Sequence, residues 1–434
     1  MEANTMIIDP EVKVDYRPLP GSFKDLGLPE IFLANLLLKH AFFMDVFYLR
    51  DLMERLKLSG NILNSLLGYL QQAKFVEILG PDPLKPASTT LSMSLRYGLT
   101  EAGKKRSAQL LEYDGYVGPA PVPLEDYWQQ VERQTESRPP VTPARLQQAF
   151  PELVVSAKML AQLGPVVISG QPLFLYGPPG NGKTTIGLKL GEVWDDTILV
   201  PYAIFVEGNV IRVFDQITHR VQEGPPPGQE SSDPRWVRCR RPVVLVGGEL
   251  TLNMLDLTFN PVHKYYEAPL QLKANNGTLI VDDFGRQQIR PEELLNRWII
   301  PLENKKDFLC LHTGQKFSIP FDQFIIFATN LEPHTLVDEA FFRRVRAKVK
   351  VDYVNRDQFM EIFRIVCWKN QIEFDQEAIE YLLAEYYDGG KRPMVACHPR
   401  DLVEQIISYS HFNQFEPKLT RENFAWACQI YFVY

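Results

Sequence analysis

The sequence predicts an α/β protein: a parallel-sheet core built around a phosphate-binding loop, a helical lid on its C-terminal side, and a small α+β domain ahead of it. Three observations carry this expectation. An apolar run, Pro172-Leu173-Phe174-Leu175-Tyr176, leads into Gly177-Pro178-Pro179-Gly180-Asn181-Gly182-Lys183-Thr184 and then into a helical pattern from Thr185 to Trp194. Two more apolar runs end in polar residues, Thr278 to Val281 in Asp282-Asp283 and Phe324 to Thr329 in Asn330. From Asn355 onward the apolar residues recur at helical spacing.

At 434 residues, 45% of them apolar, the chain is too long for one compact core, and length suggests two to four folding units. It holds no run of eighteen apolar residues, and MEANTMIIDPEVKVD lacks a charged-then-apolar leader pattern. The expectation is a cytoplasmic protein without membrane insertion. Cys239, Cys310, Cys367, Cys397 and Cys428 are scattered with no C-x-x-C pair, which argues for free thiols and against a disulfide framework or zinc site. A net charge of −7 excludes a globally basic nucleic-acid binder but leaves room for a local basic face.

Residues 1–24 read as an extended, proline-rich arm, and residues 25–113 as the first domain. Ile31, Leu33, Leu36, Leu37 and Leu38 mark one helix; Phe47, Leu49, Leu52, Met53 and Leu56 a second; Ile62, Leu63, Leu66, Leu67 and Leu70 a third, with Ser59 placed to cap it. Phe75 to Leu79 reads as a strand, GPDPLKPASTT as a turn-rich segment, Leu91 to Leu99 as a returning strand, and Thr100-Glu101 opens a last helix. That order is the order of a winged helix, and SLRYGLTEAGKKRSAQL resembles the wing-to-helix segment of bacterial winged-helix regulators. Charge weighs against reading DNA. Between Asp25 and Tyr113 ten Lys or Arg stand against nine Asp or Glu, and the stretch Ser59 to Phe75 carries only Lys74, where groove binding calls for arginines. Protein docking is favoured; DNA contact through Arg96, Lys104, Lys105 and Arg106 is the alternative.

Residues 114–145 are proline-rich with one short helical insert and read as a linker. The core follows over 146–353, opened by a helix near Ala144 to Leu163. In its loop, Gly177, Gly180 and Gly182 allow backbone N–H groups to wrap phosphates without a Cβ in the way. Pro178, Pro179, Asn181 and Thr185 complete the cradle. Lys183 reaches the phosphate oxygens, Thr184 offers its hydroxyl to Mg²⁺, and the helix opening at Lys183 turns its positive end toward the anion. A loop, an acid-ended strand and an Asn-ended strand at one edge of a parallel sheet converge on one crevice, where a ligand sits in such folds.

Together with Leu272 to Gly277, the segment ending in Asp282-Asp283 resembles the Walker B strand of AAA+ ATPases. The resemblance covers roughly Leu146 to Tyr434 and implies ATP and Mg²⁺ as ligands. Asp282 would hold the Mg²⁺ shell, Asp283 would stand where the family has a water-polarising glutamate, and Asn330 would act as sensor 1. An aspartate is one methylene shorter, so hydrolysis could be slow. Asp338 to Arg346 resembles the segment that supplies an arginine finger, with Arg344 or Arg343 favoured and Arg346 third. A finger serves a neighbour's site and implies a homo-oligomer, a hexameric ring in this family. Over 354–434 the pattern matches the family's helical lid, and Arg400, in Cys397 to Leu402, resembles sensor 2; His398 is read as structural.

Between the loop helix and the acid-ended strand, the chain is longer than a minimal core needs. It holds a hairpin from Ala203 to Phe214 turning at Gly208-Asn209, a Pro/Gly/Ser loop from Glu223 to Pro234, the basic run Arg235 to Arg241, a strand Val243 to Val246, and Lys264-Tyr265-Tyr266. The last is a candidate substrate-threading loop, with packing aromatics the favoured reading. The basic run suits an acidic partner or nucleic acid, or a solvated loop. The nearest impression is of bacterial AAA+ ATPases with an N-terminal winged helix, near the MoxR-type and enhancer-binding-activator clade, although the activators' GAFTGA loop is absent. The expected function is an ATPase ring that remodels or assembles a docked protein client. A DNA-bound motor or regulator, and a slowly hydrolysing nucleotide-gated scaffold, are the rivals.

Overall fold

The computed structural model describes residues 17–81, 95–224, 232–332, 336, 343–390 and 392–432. At its centre lies a five-stranded, all-parallel sheet in the order Val243–Val246, Thr278–Val281, Phe324–Thr329, Leu173–Tyr176, Ala347–Lys350. The three inner strands are continuous apolar runs because both of their faces are covered. Leu173, Phe174, Leu175, Leu279, Ile280, Val281 and Phe324 to Ala328 are all essentially inaccessible. One face packs Ile280, Ile326, Leu173 and Leu175 against Leu163, Ile186, Leu190 and Trp194. The other packs Phe174, Phe327 and Leu279 against Leu294, Leu295 and Trp298 of the helix Pro291–Asn304. The outer strand Ala347–Lys350 carries Lys348 and Lys350, which suit an edge that must not pair further.

The expected opening helix from Ala144 to Leu163 is two helices, Pro143–Gln148 and Ala157–Ser169, separated by an irregular stretch. The reason is local: Pro151 disfavours helix at Phe150, and Ser156 restarts the helix by accepting the Met159 N–H.

Ahead of the core, Glu30–Phe42, Leu49–Leu56, Gly60–Gln72 and Glu101–Tyr113 surround a three-stranded antiparallel sheet ordered Phe47–Tyr48, Leu95–Leu99, Val76–Pro81. Thr100 caps the last helix through the Gly103 N–H. Ser59 stands at the start of Gly60–Gln72 but does not cap it with its side chain; its hydroxyl donates to the Pro20 carbonyl instead. Of the returning strand expected from Leu91, the portion 91–94 lies outside the described residues.

The linker expectation for 114–145 meets a more structured segment. Its helix, Leu124–Glu136, runs 13 residues. Tyr127 and Val131 are buried in a core shared with Ile204, Ile211 and Tyr266, while Gln130 and Gln134 are buried and hydrogen-bonded. Val122–Pro123 adds an edge strand to a second five-stranded sheet made by Ala203–Val206, Asn209–Arg212, Tyr265–Glu267 and Thr258–Asn260. Prolines in that segment mark an edge strand and a helix start, not a flexible tether.

Two further expectations are corrected here. Trp236–Arg240 is a strand paired antiparallel with Thr197–Pro201, and both arginines flanking it are buried: Arg235 is clasped by Asp233 and Arg241 by Asp196, each at 2.7–2.8 Å. The run Arg235 to Arg241 is therefore neither a solvated loop nor an open basic face. Lys264-Tyr265-Tyr266 is no threading loop, because Tyr266 is buried, Tyr265 packs edge-on to Tyr116, and Lys264 donates to the Glu112 carbonyl. These contacts, with Phe32 against Phe205 and Gly115 N–H to His263 O, weld the first domain to the second sheet.

The lid comprises Arg356–Asn370, Gln376–Tyr386, His398–Phe412 and Arg421–Tyr431 around Phe359, Phe363, Ile379, Leu402 and Phe424. None of the described helices is long and apolar enough to cross a membrane, and the five cysteines are free. Burial, with some help from nearby cations, pushes two imidazoles from the ordinary value of 6.5 to about 4: His40 in the first domain and His398 in the lid. His398 is held by the Tyr387 hydroxyl, which bears out its structural reading. Because each folded value lies below the unfolded one, the unfolded chain binds more protons between pH 6.5 and 4. Stability is thus fully present above pH 6.5 and falls as the pH drops, by up to about 1.4 kcal/mol per pH unit for each ring. Denaturant titrations across pH 7 to 4 are expected to show this loss, with a smaller slope in His398→Asn.

Candidate functional site

The functional side chains meet where three inner strands stop. Each loop glycine adopts positive φ, Gly177 at 138°, Gly180 at 78° and Gly182 at 81°, which residues with a Cβ rarely tolerate. Space is as restrictive as conformation: a Cβ on Gly177 would stand 2.2 Å from the Val351 carbonyl oxygen. Gly182 passes directly into the helix Lys183–Gly191, whose first-turn N–H groups have no helical acceptor and face the loop's concavity.

Lys183 is 7% exposed and donates to the carbonyls of Gly177 and Pro178, both at 2.8 Å. Burial pulls its ammonium below the usual lysine range, with Asp282 and Asp283 partly opposing the shift. Thr184 donates its hydroxyl to the Asp282 carboxylate, 2.8 Å from Oδ2 and 3.0 Å from Oδ1. Asp282 is fixed in turn by its backbone, whose N–H donates to Val246 O and whose carbonyl accepts from Gln287 Nε2. Asp283 sits at φ 47°, a left-handed conformation that Asp tolerates better than most residues. Asn330 Nδ2 donates to its Oδ1 at 3.1 Å.

These groups line a cavity of about 1030 Å³ between the sheet edge and the lid, on the scale of small-molecule sites. Gly180, Gly182, Lys183, Thr184, Thr185, Asp282, Asp283, Asn330 and Arg400 line it, and Asn181 borders it with its amide turned away toward the Pro178 carbonyl and the Ala396 N–H. Arg400 is half-exposed or more and lies along its own helix, donating to Asp401 at 2.8 Å with Glu404 at 3.9 Å; its bond to Asp401 raises its already high pKa. Some lining residues escaped sequence reasoning. Leu153, Val154 and Val155 come from the break between the opening helices, Ile362 and Val366 from the lid's first helix, and Lys348 and Lys350 from the edge strand. The apolar ones carry only apolar spacing, which reads as core, and Lys348 and Lys350 read as the charged face of an edge strand.

Arg343, Arg344 and Arg346 do not join this cavity. They line a second one of about 550 Å³ with Gly170, Pro172 and Lys305, where Arg344 is ion-paired to Glu303 at 2.8 Å. Pro172 and Arg346 precede the strands whose far ends, Tyr176 and Lys350, reach the first cavity. Asp338 to Phe342 lie outside the described residues.

The residues fit a nucleoside triphosphate with its cation. The loop holds three glycines at positive φ beside a helix N-terminus, the buried ammonium rests on carbonyls it can exchange for phosphate oxygens, and hydroxyl and carboxylate are already in contact. Among the described residues no group of three or more His, Cys, Asp or Glu could hold a metal alone.

Comparison with known proteins adds a partial family match and loose structural likenesses. The model of a domain of unknown function, DUF8689, matches residues 355–430, the lid. No curated protein matches. Among solved structures, NtrX from Brucella abortus in complex with ATP is 15% identical, with a TM-score of 0.38 over 64% of this chain and 58% of that one. NtrX with ADP is 14% identical, TM-score 0.39, over 74% and 65%. The RuvB Holliday junction branch migration motor of Thermotoga maritima is 13% identical, TM-score 0.35, over 68% and 72%. This chain thus spans 58% of the ATP-bound NtrX chain. Likeness this loose assigns nothing to the chain, and the reading of the site rests on its own residues.

Proposed function

We propose that this chain is a Mg-ATP-dependent ATPase of the AAA+ kind, acting as a homo-oligomeric ring, six-membered on the family pattern, on a protein client docked by its first domain. The observation that carries the reading is the contact of Thr184 with both oxygens of Asp282 beside Lys183. Few sites other than a phosphate-and-metal site bring a loop hydroxyl, a strand-end carboxylate and a buried ammonium to one glycine-rich turn.

Lys183 exchanges its two carbonyl acceptors for phosphate oxygens, while the first-turn N–H groups wrap the same anion. Thr184 and Asp282 would hold the cation. Bound Mg²⁺ supplies neutralisation of charge on the transferred phosphoryl group. Asp283, held by Asn330, accepts a proton from or orients the attacking water. Arg400 turns from Asp401 toward the outermost phosphate, which links the lid to nucleotide state. One of Arg344, Arg343 and Arg346, which lie at the other end of the strands, completes a neighbouring copy's site, with Arg344 or Arg343 ahead of Arg346.

The first domain is read as a winged helix used for protein docking. Its helix Gly60–Gln72 has no charged residue, and beside it Tyr69, Ile78 and Leu79 are 51%, 50% and 41% exposed. Lys104 of the basic alternative is already paired with Glu101. Duplex DNA binding that weakens steeply with salt would reverse this choice; none is expected even at low salt.

Nucleotide binding and phosphate release test the core of the proposal. Lys183→Ala is expected to weaken MgATP binding by at least about tenfold, since it removes the charge-assisted phosphate contacts. If the wild type binds no MgATP, the reading fails. Arg344→Ala is expected to hold nucleotide within about threefold while losing most turnover, the mark of an interaction made in the transition state. Unchanged hydrolysis would move the role to Arg343 or Arg346. For Asp283, brisk wild-type turnover removes the scaffold alternative.

A further inference from the structure

Asn181 lies inside the phosphate loop, yet its side chain does not face the cradle. It is 5% exposed. Its Nδ2 points to the carbonyls of Pro178 and Pro179 at 3.3 and 3.4 Å, and its Oδ1 accepts the backbone N–H of Ala396 at 3.0 Å, 215 residues later in the lid. Only this orientation of the amide is chemically consistent, because the reverse would oppose oxygen to two carbonyl oxygens and nitrogen to an N–H. A second bond lies next to it: the Cys397 N–H donates to Gly180 O at 3.0 Å.

Close packing reinforces the pair. A Cβ on Gly180 would meet Val395 Cγ1 at 2.7 Å and Cys397 Sγ at 2.8 Å, so the glycine is what lets the lid segment reach the loop. That segment runs straight into the helix His398–Phe412, with Arg400 three residues past Cys397. The same strip is tied to the lid's entry, where the Val354 N–H donates to Met394 O.

We propose that Asn181 is a positioning residue that latches the lid to the phosphate loop, so that the loop's conformation sets where the lid helix and Arg400 stand. Its hydrogen bond is the side-chain half of the latch and Gly180 the steric half. A loop that shifts to wrap phosphates carries Ala396 and Cys397 with it, and the lid helix moves with them, in addition to any contact that Arg400 makes to the phosphate.

Hydrogen exchange in the full-length protein without nucleotide tests the latch by itself. Asn181→Ala is expected to speed exchange over residues 392–397 by about fivefold to tenfold, as loss of one buried hydrogen bond implies, while strand Thr278–Val281 stays protected. Asn181→Asp keeps an acceptor for Ala396 and should stay close to wild type over 392–397. Unchanged exchange in Asn181→Ala, or equal loss in Asn181→Asp, overturns the proposal. Should Asn181→Ala lose protection in Thr278–Val281 too, Asn181→Ser, whose hydroxyl is too short to reach Ala396, supplies the comparison. A turnover arm rests on the ATPase reading: Asn181→Ala should lower kcat by about threefold to tenfold with KM for MgATP nearly unchanged, the split of a defect in closure and not in binding. A large rise in KM with kcat preserved would assign Asn181 to phosphate binding instead. Absence of any ATPase activity in the wild type sinks that reading and leaves the exchange result standing.

Discussion

The hydrogen bond between Thr184 and Asp282 joins groups 98 residues apart, and most of the architecture is needed to make it. The loop strand and the carboxylate strand are not neighbours; Phe324–Thr329 lies between them. Their ends come level only because Phe174 pairs with Phe327 and Phe327 with Val281. A parallel sheet fixes such register through its hydrogen-bond ladder, and a slip of one residue would turn the apolar side chains of a strand to the opposite face. With both faces packed, each strand's end is fixed against the next. Asn330 then falls beside Asp283, and Phe284 N–H to Ala328 O with the Thr329 hydroxyl to Phe284 O fixes the two ends together.

The same constraint explains which parts of the protein were legible in its sequence. The inner strands are unbroken apolar runs that end in glycine, aspartate or asparagine, so strand, terminus and chemistry coincide at Gly177, Asp282 and Asn330. The lid was legible because Phe359, Phe363, Ile379, Leu402 and Ile406 repeat at helical spacing. Segment 114–145 was not. Its prolines looked like a tether, while the burial of Tyr127 and Val131 depends on the second sheet, whose strands arrive some eighty to one hundred and forty residues later. The run Arg235 to Arg241 misled for a related reason. Alternating charges look solvated until Asp233 and Asp196 are seen to pair with the inward-facing arginines. Such pairing is long-range or conformational, and composition does not carry it.

The division of labour in the glycine loop was equally hidden. The motif fixes Lys183 and Thr184, but it says nothing of Asn181, whose partner is a backbone N–H in another domain. Backbone donors leave no trace in a residue pattern. What distinguishes Asn181 from its neighbours is burial together with a donor and an acceptor that both find partners, and buried amides fully satisfied in this way specify one arrangement more than they add stability.

Asp283 shows how backbone and chemistry constrain one another. From sequence alone, an aspartate where the AAA+ ATPases that this segment resembles carry glutamate suggests a shortened reach and weak catalysis. The backbone offers another reason for the choice. At φ 47° the residue sits in the region where aspartate and asparagine are enriched and longer side chains are not. The turn is held there by Phe284 N–H to Ala328 O and by Arg286 N–H to Asp283 O. A glutamate would have to carry the strain of that conformation. Aspartate suits the left-handed turn, and from it Asp283 accepts the Asn330 hydrogen bond, so its reach has to be judged from that rotated backbone.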